Sequence, residues 1–202
     1  MESVASAASC GSPLTQVRLQ EGNIVLDLGS GAGIDAFRAS KLVGEKGKVI
    51  GVDATPEMIW KARELANKYG YTNVDFRLGE VEHLPVESGS VDLAISNCVL
   101  NLVPDKALAF EEIYRVLKPD GRIAISDIVA TKKLDDQQRT DLEAWASCLA
   151  GAITIDEYKD LLEETGFQNI KYVDENPAAV ESCCSTTYAV KSVTWSATKP
   201  RT

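Results

Sequence analysis

Val25-Leu-Asp27-Leu-Gly29-Ser-Gly31-Ala-Gly33-Ile-Asp35 joins a short apolar run to a helical pattern through three glycines at alternate positions. Residues 23–28 are apolar enough to be buried on both faces, as a strand inside a parallel sheet must be. The glycines supply what a strand-to-helix turn over a ligand needs, a sharp bend and a backbone with no side chain in the way. Twenty residues past Gly33, Asp53 follows a second apolar run at residues 48–52. A carboxylate there can accept two hydrogen bonds from a ribose diol. The crevice outside the carboxyl ends of the strands is where an open α/β sheet binds its ligand.

Outward from that turn the chain alternates strand-like and helix-like stretches. Residues 33–43 read as a helix with Ile34, Phe37 and Leu42 as its apolar members. Thr55 offers a hydroxyl N-cap and Pro56 a first helical position. The helix they open carries Met58, Ile59, Ala62, Leu65, Ala66 and Tyr69, and Gly70 ends it. Residues 74–78 and 91–96 read as the third and fourth strands. Pro104 is expected to open a helix, Lys118-Pro-Asp-Gly121 to break it, and residues 122–129 to form strand five. Two acidic helices follow, the second opening on the capping box Thr154-Ile-Asp-Glu157 and stopping near Gly166. Runs at 170–173 and 188–195 suit an antiparallel edge hairpin. This alternation implies right-handed crossovers and a doubly wound α/β domain with a mostly parallel sheet, whose strand order the sequence leaves open. One domain over residues 1–202 is expected, with residues 1–20 weakly structured.

Composition narrows the class. With 202 residues, 45% hydrophobic and 25% charged, the chain can bury a sizeable core and is too apolar for disorder. Its 30 acidic and 21 basic residues leave nine net negative charges, which opposes a nucleic-acid partner. Seven of those nine belong to residues 135–164 and read as solvated helix faces. No segment approaches the roughly 20 apolar residues of a membrane helix. The opening MESVASAASC has neither the basic leader nor the apolar run of a secretory signal. Five cysteines are too few, and odd in number, for a disulfide scaffold. A soluble, cytoplasmic protein with reduced thiols is the resulting expectation; a monomer is expected as well.

Two cofactor classes compete for the glycine turn. A dinucleotide turn, G-x-G-x-x-G, would place its third glycine at position 34, which is Ile. Asp27, two residues before Gly29, suits instead a cofactor with an amine and no pyrophosphate. Asp27-x-Gly29-x-Gly31-x-Gly33 resembles the first motif of the class I S-adenosylmethionine-dependent methyltransferases. Gly79-Glu80-Val81-Glu82-His83-Leu84-Pro85 and Arg115-Val-Leu-Lys-Pro-Asp-Gly121 resemble that family's stretches after strand three and before strand five. The resemblance implies a Rossmann-like fold, with a mostly parallel seven-stranded sheet and an antiparallel edge strand, and S-adenosylmethionine as cofactor. By it, Gly29, Gly31 and Gly33 face the methionine part, and Asp53 holds the ribose with Ala54 beside it. Met58 covers the adenine, and Gly79, Glu80 and Val81 hold its edge. Asp27 and Asn97 complete the cofactor set. Met58 reads equally well as simple core. His83, the only histidine, reads as structural or solvent-facing rather than as a base.

Asn97-Cys98 puts a thiol where strand four ends, the expected place for substrate chemistry. Cys148, in Trp145-Ala-Ser-Cys148-Leu-Ala-Gly-Ala152, and Cys10, in Cys10-Gly-Ser-Pro13, are distant in sequence, so no local zinc knuckle exists. Singly, each reads as an inert small hydrophobe. Together, Ser96-Asn-Cys-Val-Leu-Asn-Leu-Val-Pro-Asp-Lys106, the Cys148 segment and Cys10-Gly11 resemble the three cysteine motifs of the arsenite S-adenosylmethionine methyltransferases. The resemblance implies methyl transfer to trivalent arsenic held by the thiolates of Cys10, Cys98 and Cys148, a reaction of arsenic detoxification. Arsenite or an arsenic–thiol complex would be the substrate, and a small thiol reductant the partner. Thiolates suit soft arsenic, whose lone pair is a nucleophile with no proton to lose, so no general base is needed. Against the family's pattern, a segment upstream of Cys10 and the larger C-terminal domain are expected to be missing. The vicinal Cys183-Cys184 reads either as an arsenic hand-over pair or as a chance pair on an exposed strand end. The rival readings are methylation of a small organic acceptor such as a quinone precursor, and metalloid binding without turnover.

Overall fold

The computed structural model describes residues 11–174 and 188–201. Cys10, Cys183 and Cys184 lie outside the described residues. Seven strands, β1 (Ile24–Leu28), β2 (Lys48–Asp53), β3 (Val74–Leu78), β4 (Val91–Asn97), β5 (Leu117–Ala130), β6 (Gln168–Asp174) and β7 (Val190–Thr198), form one sheet. Their order is β3-β2-β1-β4-β5-β7-β6. Strands β1 to β5 pair in parallel, and β7 lies antiparallel to both β5 and β6. The antiparallel edge is therefore the β6–β7 pair, with β7 seated between β5 and the outermost β6.

The apolar run of β1 explains its central place. Val25 pairs with Val49 of β2 on one side and with Leu93 of β4 on the other. Alternate residues then face two helical layers. α1 (Ile34–Val43) and α2 (Pro56–Tyr69) pack with Val25, Val49 and Phe76. α3 (Lys106–Val116) and α6 (Ile155–Thr165) pack with Leu26, Ile123 and Ile125 on the opposite face. There Tyr158 stacks on Trp195 with ring centroids 4.8 Å apart. Residues 11–20 hold a single 3-10 turn, Pro13–Thr15, and Leu14, Val17 and Leu19 pack against the first of these layers.

Several expected details differ. α1 buries Ala36, Ala39, Ser40 and Val43, while Ile34 and Leu42 are exposed. Small side chains let the helix lie close to the sheet, and that choice outweighs the larger apolar residues. In α2, Met58 and Tyr69 are likewise exposed, and Ile59, Ala62 and Ala66 form the buried stripe. Thr55 occupies the N-cap position, but its hydroxyl makes no capping bond. Its backbone N–H instead donates to Asp53 Oδ1 at 2.9 Å. α3 opens two residues after Pro104, because the Asp105 carboxylate caps it by accepting from the Leu108 N–H at 3.0 Å. The Lys118-Pro-Asp-Gly121 turn does end that helix, yet it belongs to β5 as a bulge. Val91 faces Leu117 and Leu93 already faces Arg122, so three extra residues are looped out. The acidic region holds α4 (Asp136–Arg139) and α5 (Leu142–Ala146) before α6, because Asp135 and Asp141 each cap a new start.

Candidate active site

Strand order reverses between β1 and β4, and the carboxyl ends of β1, β2 and β4 open there onto a cavity of about 950 Å³. The glycine turn forms its floor. Gly29 has φ +61°, and a Cβ on it would meet Val99 Cγ2 at 2.2 Å. Gly31 lies on the cavity wall with φ +51° and nothing within 4 Å of its Cβ direction, so the space above it is open to a ligand. Its N–H donates to Asp53 Oδ2 at 2.8 Å. With Thr55 on the other oxygen, the Asp53 carboxylate is fixed at the end of β2 with lone pairs to spare.

The cavity brings together Gly29, Gly31, Asp53, Ala54, Met58, Gly79, Glu80, Val81, Asn97, Cys98 and Cys148. Gly33 and Asp27 do not line it. A Cβ on Gly33 would strike Phe76 at 2.7 Å and Phe37 at 2.9 Å, so that glycine serves close packing beneath the turn. Asp27 is buried, and its Oδ2 has no hydrogen-bond partner among the described residues. Burial first, then the nearby Asp35 and Asp53 charges, push its carboxyl well above the usual range. His83 is exposed and off the cavity wall.

Sequence reasoning missed the residues that flank the two cysteines. Val99, Leu102, Val103, Pro104, Ile128 and Ala146 add apolar wall to the cavity, and Asp53, Lys61, Glu80 and Glu82 add charged groups. The signal was present in part, since Leu102-Val-Pro104 sits inside the motif that singled out Cys98.

The cysteines themselves stand out by their backbones. Cys98 has φ +58° and Cys148 φ +63°. The other described non-glycine residues with positive φ are Asp120 and Asn169, types whose short polar side chains tolerate that region. Cysteine has no such ease, and each position stores ~1–2 kcal/mol of strain. The Cys98 N–H is tied to the Ser126 carbonyl of β5 at 2.8 Å. The Cys148 thiol donates to the Cys98 carbonyl at 3.2 Å, so two loops 50 residues apart meet there. Next to Cys98, Asn97 Nδ2 donates to the Gly11 carbonyl at 3.0 Å, which brings the N-terminal segment to the same place. Cys98 is disulfide-bonded, contrary to the expectation of reduced thiols. A sparse, odd cysteine count argues against a disulfide framework but not against one bond.

Residues 19–166 match the protein family described as Methyltransferase domain. The chain is 51% identical over 162 residues to an arsenite methyltransferase of Halobacterium salinarum, covering 80% of this chain and 41% of that protein. It is 38% identical over 182 residues to an arsenite methyltransferase of Aquipseudomonas alcaligenes, covering 87% and 53%. The crystal structure of an arsenic(III) S-adenosylmethionine methyltransferase from Chlamydomonas reinhardtii aligns with a TM-score of 0.70 at 35% identity, covering 90% of this chain and 64% of that one. The chain thus spans about half the length of the curated relatives it matches. Among the described residues no helix is long and apolar enough to cross a membrane. The fold is that of the S-adenosylmethionine-dependent methyltransferases, and the chain belongs to the Methyltransferase domain family.

Proposed function

We propose that this chain methylates trivalent arsenic bound by cysteine thiolates, as an enzyme of arsenic detoxification. The observation that carries the reading is the pair of strained cysteines, Cys98 and Cys148, meeting on the wall of a glycine-floored cavity. Strain held at two residues facing one cavity is the mark of a site rather than of packing. The similarity to arsenite methyltransferases of two microorganisms supports the same acceptor.

The wall around Asp53 fits the cofactor. Asp53, anchored through both oxygens, would accept from a ribose diol, and the open space over Gly31 would admit a chain running past it. Ala54, Met58, Gly79, Glu80 and Val81 would enclose the base, and Asn97 would mark the boundary with the acceptor. S-adenosylmethionine bound there would supply an electrophilic sulfonium methyl: the arsenic lone pair would form the As–C bond as the S–CH3 bond breaks, S-adenosylhomocysteine would leave, and As(III) would become As(V), to be returned by two electrons from the small thiol.

Cys98 and Cys148 hold the arsenic, each As–S bond forming as a thiol proton leaves with an arsenite hydroxide as water. Gly11 bonded to Asn97 supports counting Cys10 as a third ligand. Catalysis then rests on alignment, because an arsenic lone pair needs no base. A disulfide at Cys98 means that two electrons and two protons from a small thiol must come first. That requirement favours a thiol-rich compartment, the cytoplasm.

The test incubates reduced protein with arsenite, methyl-labelled S-adenosylmethionine and glutathione, and follows methylated arsenic by chromatography with arsenic detection. Cys98→Ser and Cys148→Ser are expected to lose more than about 100-fold in rate while S-adenosylhomocysteine binding, by calorimetry, stays within two-fold. Full arsenite methylation by either variant would sink the reading.

A further inference from the structure

We propose that Asn101 and Gly151 are positioning residues whose contact sets the spacing between Cys98 and Cys148. The proposal rests on the arsenic reading for its purpose, but not for its geometry.

Asn101 sits in the short 3-10 helix Leu100–Leu102, three residues after Cys98, and is fully buried. Gly151 stands three residues after Cys148 and is also buried. A Cβ on Gly151 would lie 1.8 Å from the Asn101 carbonyl oxygen and 2.9 Å from its carbon. The two backbones touch directly, and no side chain fits between them. The Asn101 peptide cannot give way easily, because it is held from two more sides. Its Nδ2 donates to the Ile128 carbonyl of β5 at 2.7 Å, and Ile128 lines the cavity. Its carbonyl faces Lys106 Nζ at 3.5 Å, and Lys106 donates to the Val103 carbonyl at 3.0 Å. Lys106 also lies over the Trp145 ring at 5.9 Å, in the helix that leads to Cys148.

Both cysteine loops therefore bear on one peptide unit fixed to β5. The Cys148 thiol reaches the Cys98 carbonyl because Gly151 allows its loop to come that close. Real Cβ atoms essentially never approach closer than 3.0 Å, so a methyl at position 151 displaces the loop by more than an ångström. Two thiolates that must share one arsenic atom have no such tolerance, and a misplacement of that size costs about 100-fold in rate when alignment is the mechanism.

The experiment compares the parent with Gly151→Ala and Asn101→Ala, each reduced and checked for folding by circular dichroism. Cys98–Cys148 crosslinking by dibromobimane, mapped by peptide mass spectrometry, reads the spacing with no arsenic present. Arsenite titration followed by tryptophan fluorescence reads the consequence, and S-adenosylhomocysteine calorimetry reads the untouched half of the cavity. Gly151→Ala is expected to slow crosslinking and weaken arsenite binding at least ten-fold, with cofactor-product affinity within two-fold of the parent. Asn101→Ala, which keeps the touching backbone but removes its side-chain tie to the Ile128 carbonyl, is expected to shift both in the same direction by less. Crosslinking within two-fold of the parent in the variants that fold overturns the spacing role. A parent that crosslinks readily but does not bind arsenite overturns the arsenic reading and leaves the spacing role standing.

Discussion

Asp127 is an acid buried where its charge is poorly served. It is fully buried on β5, with one oxygen accepting from the Ile128 N–H at 3.2 Å and the other without a partner among the described residues. Burial pushes its carboxyl up to about 7, against the pull of Lys106. The folded protein therefore keeps a proton that the unfolded chain releases near 3.8. Between those values this group costs stability as pH rises, and above about 7 the cost is constant. Asp127→Asn, which cannot ionise, should gain about 3 kcal/mol more at pH 8 than at pH 5 by urea unfolding. An equal effect at both pH values would show that Asp127 ionises normally. At this scale the sequence was only partly legible. The alternate glycines pointed to the turn, but spacing cannot say which of them faces a ligand. That is settled by Phe37 and Phe76, which fill the space a Cβ on Gly33 would need. The positive φ of Cys98 and Cys148 has no sequence signal, since glycine, asparagine and aspartate are the residues that announce it.

The elements themselves read clearly where one physical force acts alone. β1 to β5 followed from apolar runs ending at turn residues, and α6 from its capping box, in which Thr154 and Glu157 each bond the other's backbone. Where two forces compete, the reading slipped. Pro104 can open a helix, but Asp105 caps one better, and the cap set the boundary. Asp105→Ala should therefore cost ~1 kcal/mol, read as a lower denaturant midpoint with an unchanged slope. A change below a few tenths would mean that tertiary packing holds α3 without its cap. The buried faces of α1 and α2 were harder still, because closeness to the sheet favoured alanine over the bulkier residues that periodicity weights most. In the acidic region, uniform charge hid the two aspartate caps that divide it.

At the scale of the molecule, strand order was beyond the sequence, because it depends on pairings between residues far apart. Ile125 faces Trp195 and Leu26 faces Ala94, and nothing local marks either pair. The order implies a gradient of protection. Amide hydrogen exchange should be slowest in the three central strands β1, β4 and β5, and fastest among the described strands in the exposed outermost β6. Equal protection of β6 and β4 would mean that something else covers that edge. The seat of β7 has a further consequence, in time rather than in space. It is the last described strand in the chain, yet among the described residues β6 has no partner in the sheet except β7, and β5 keeps an open edge until β7 arrives. On the ribosome, then, the half of the sheet made first can assemble while the other half waits for residues 190–198 to emerge. A stop codon just ahead of them would remove one strand from the message and two from the fold.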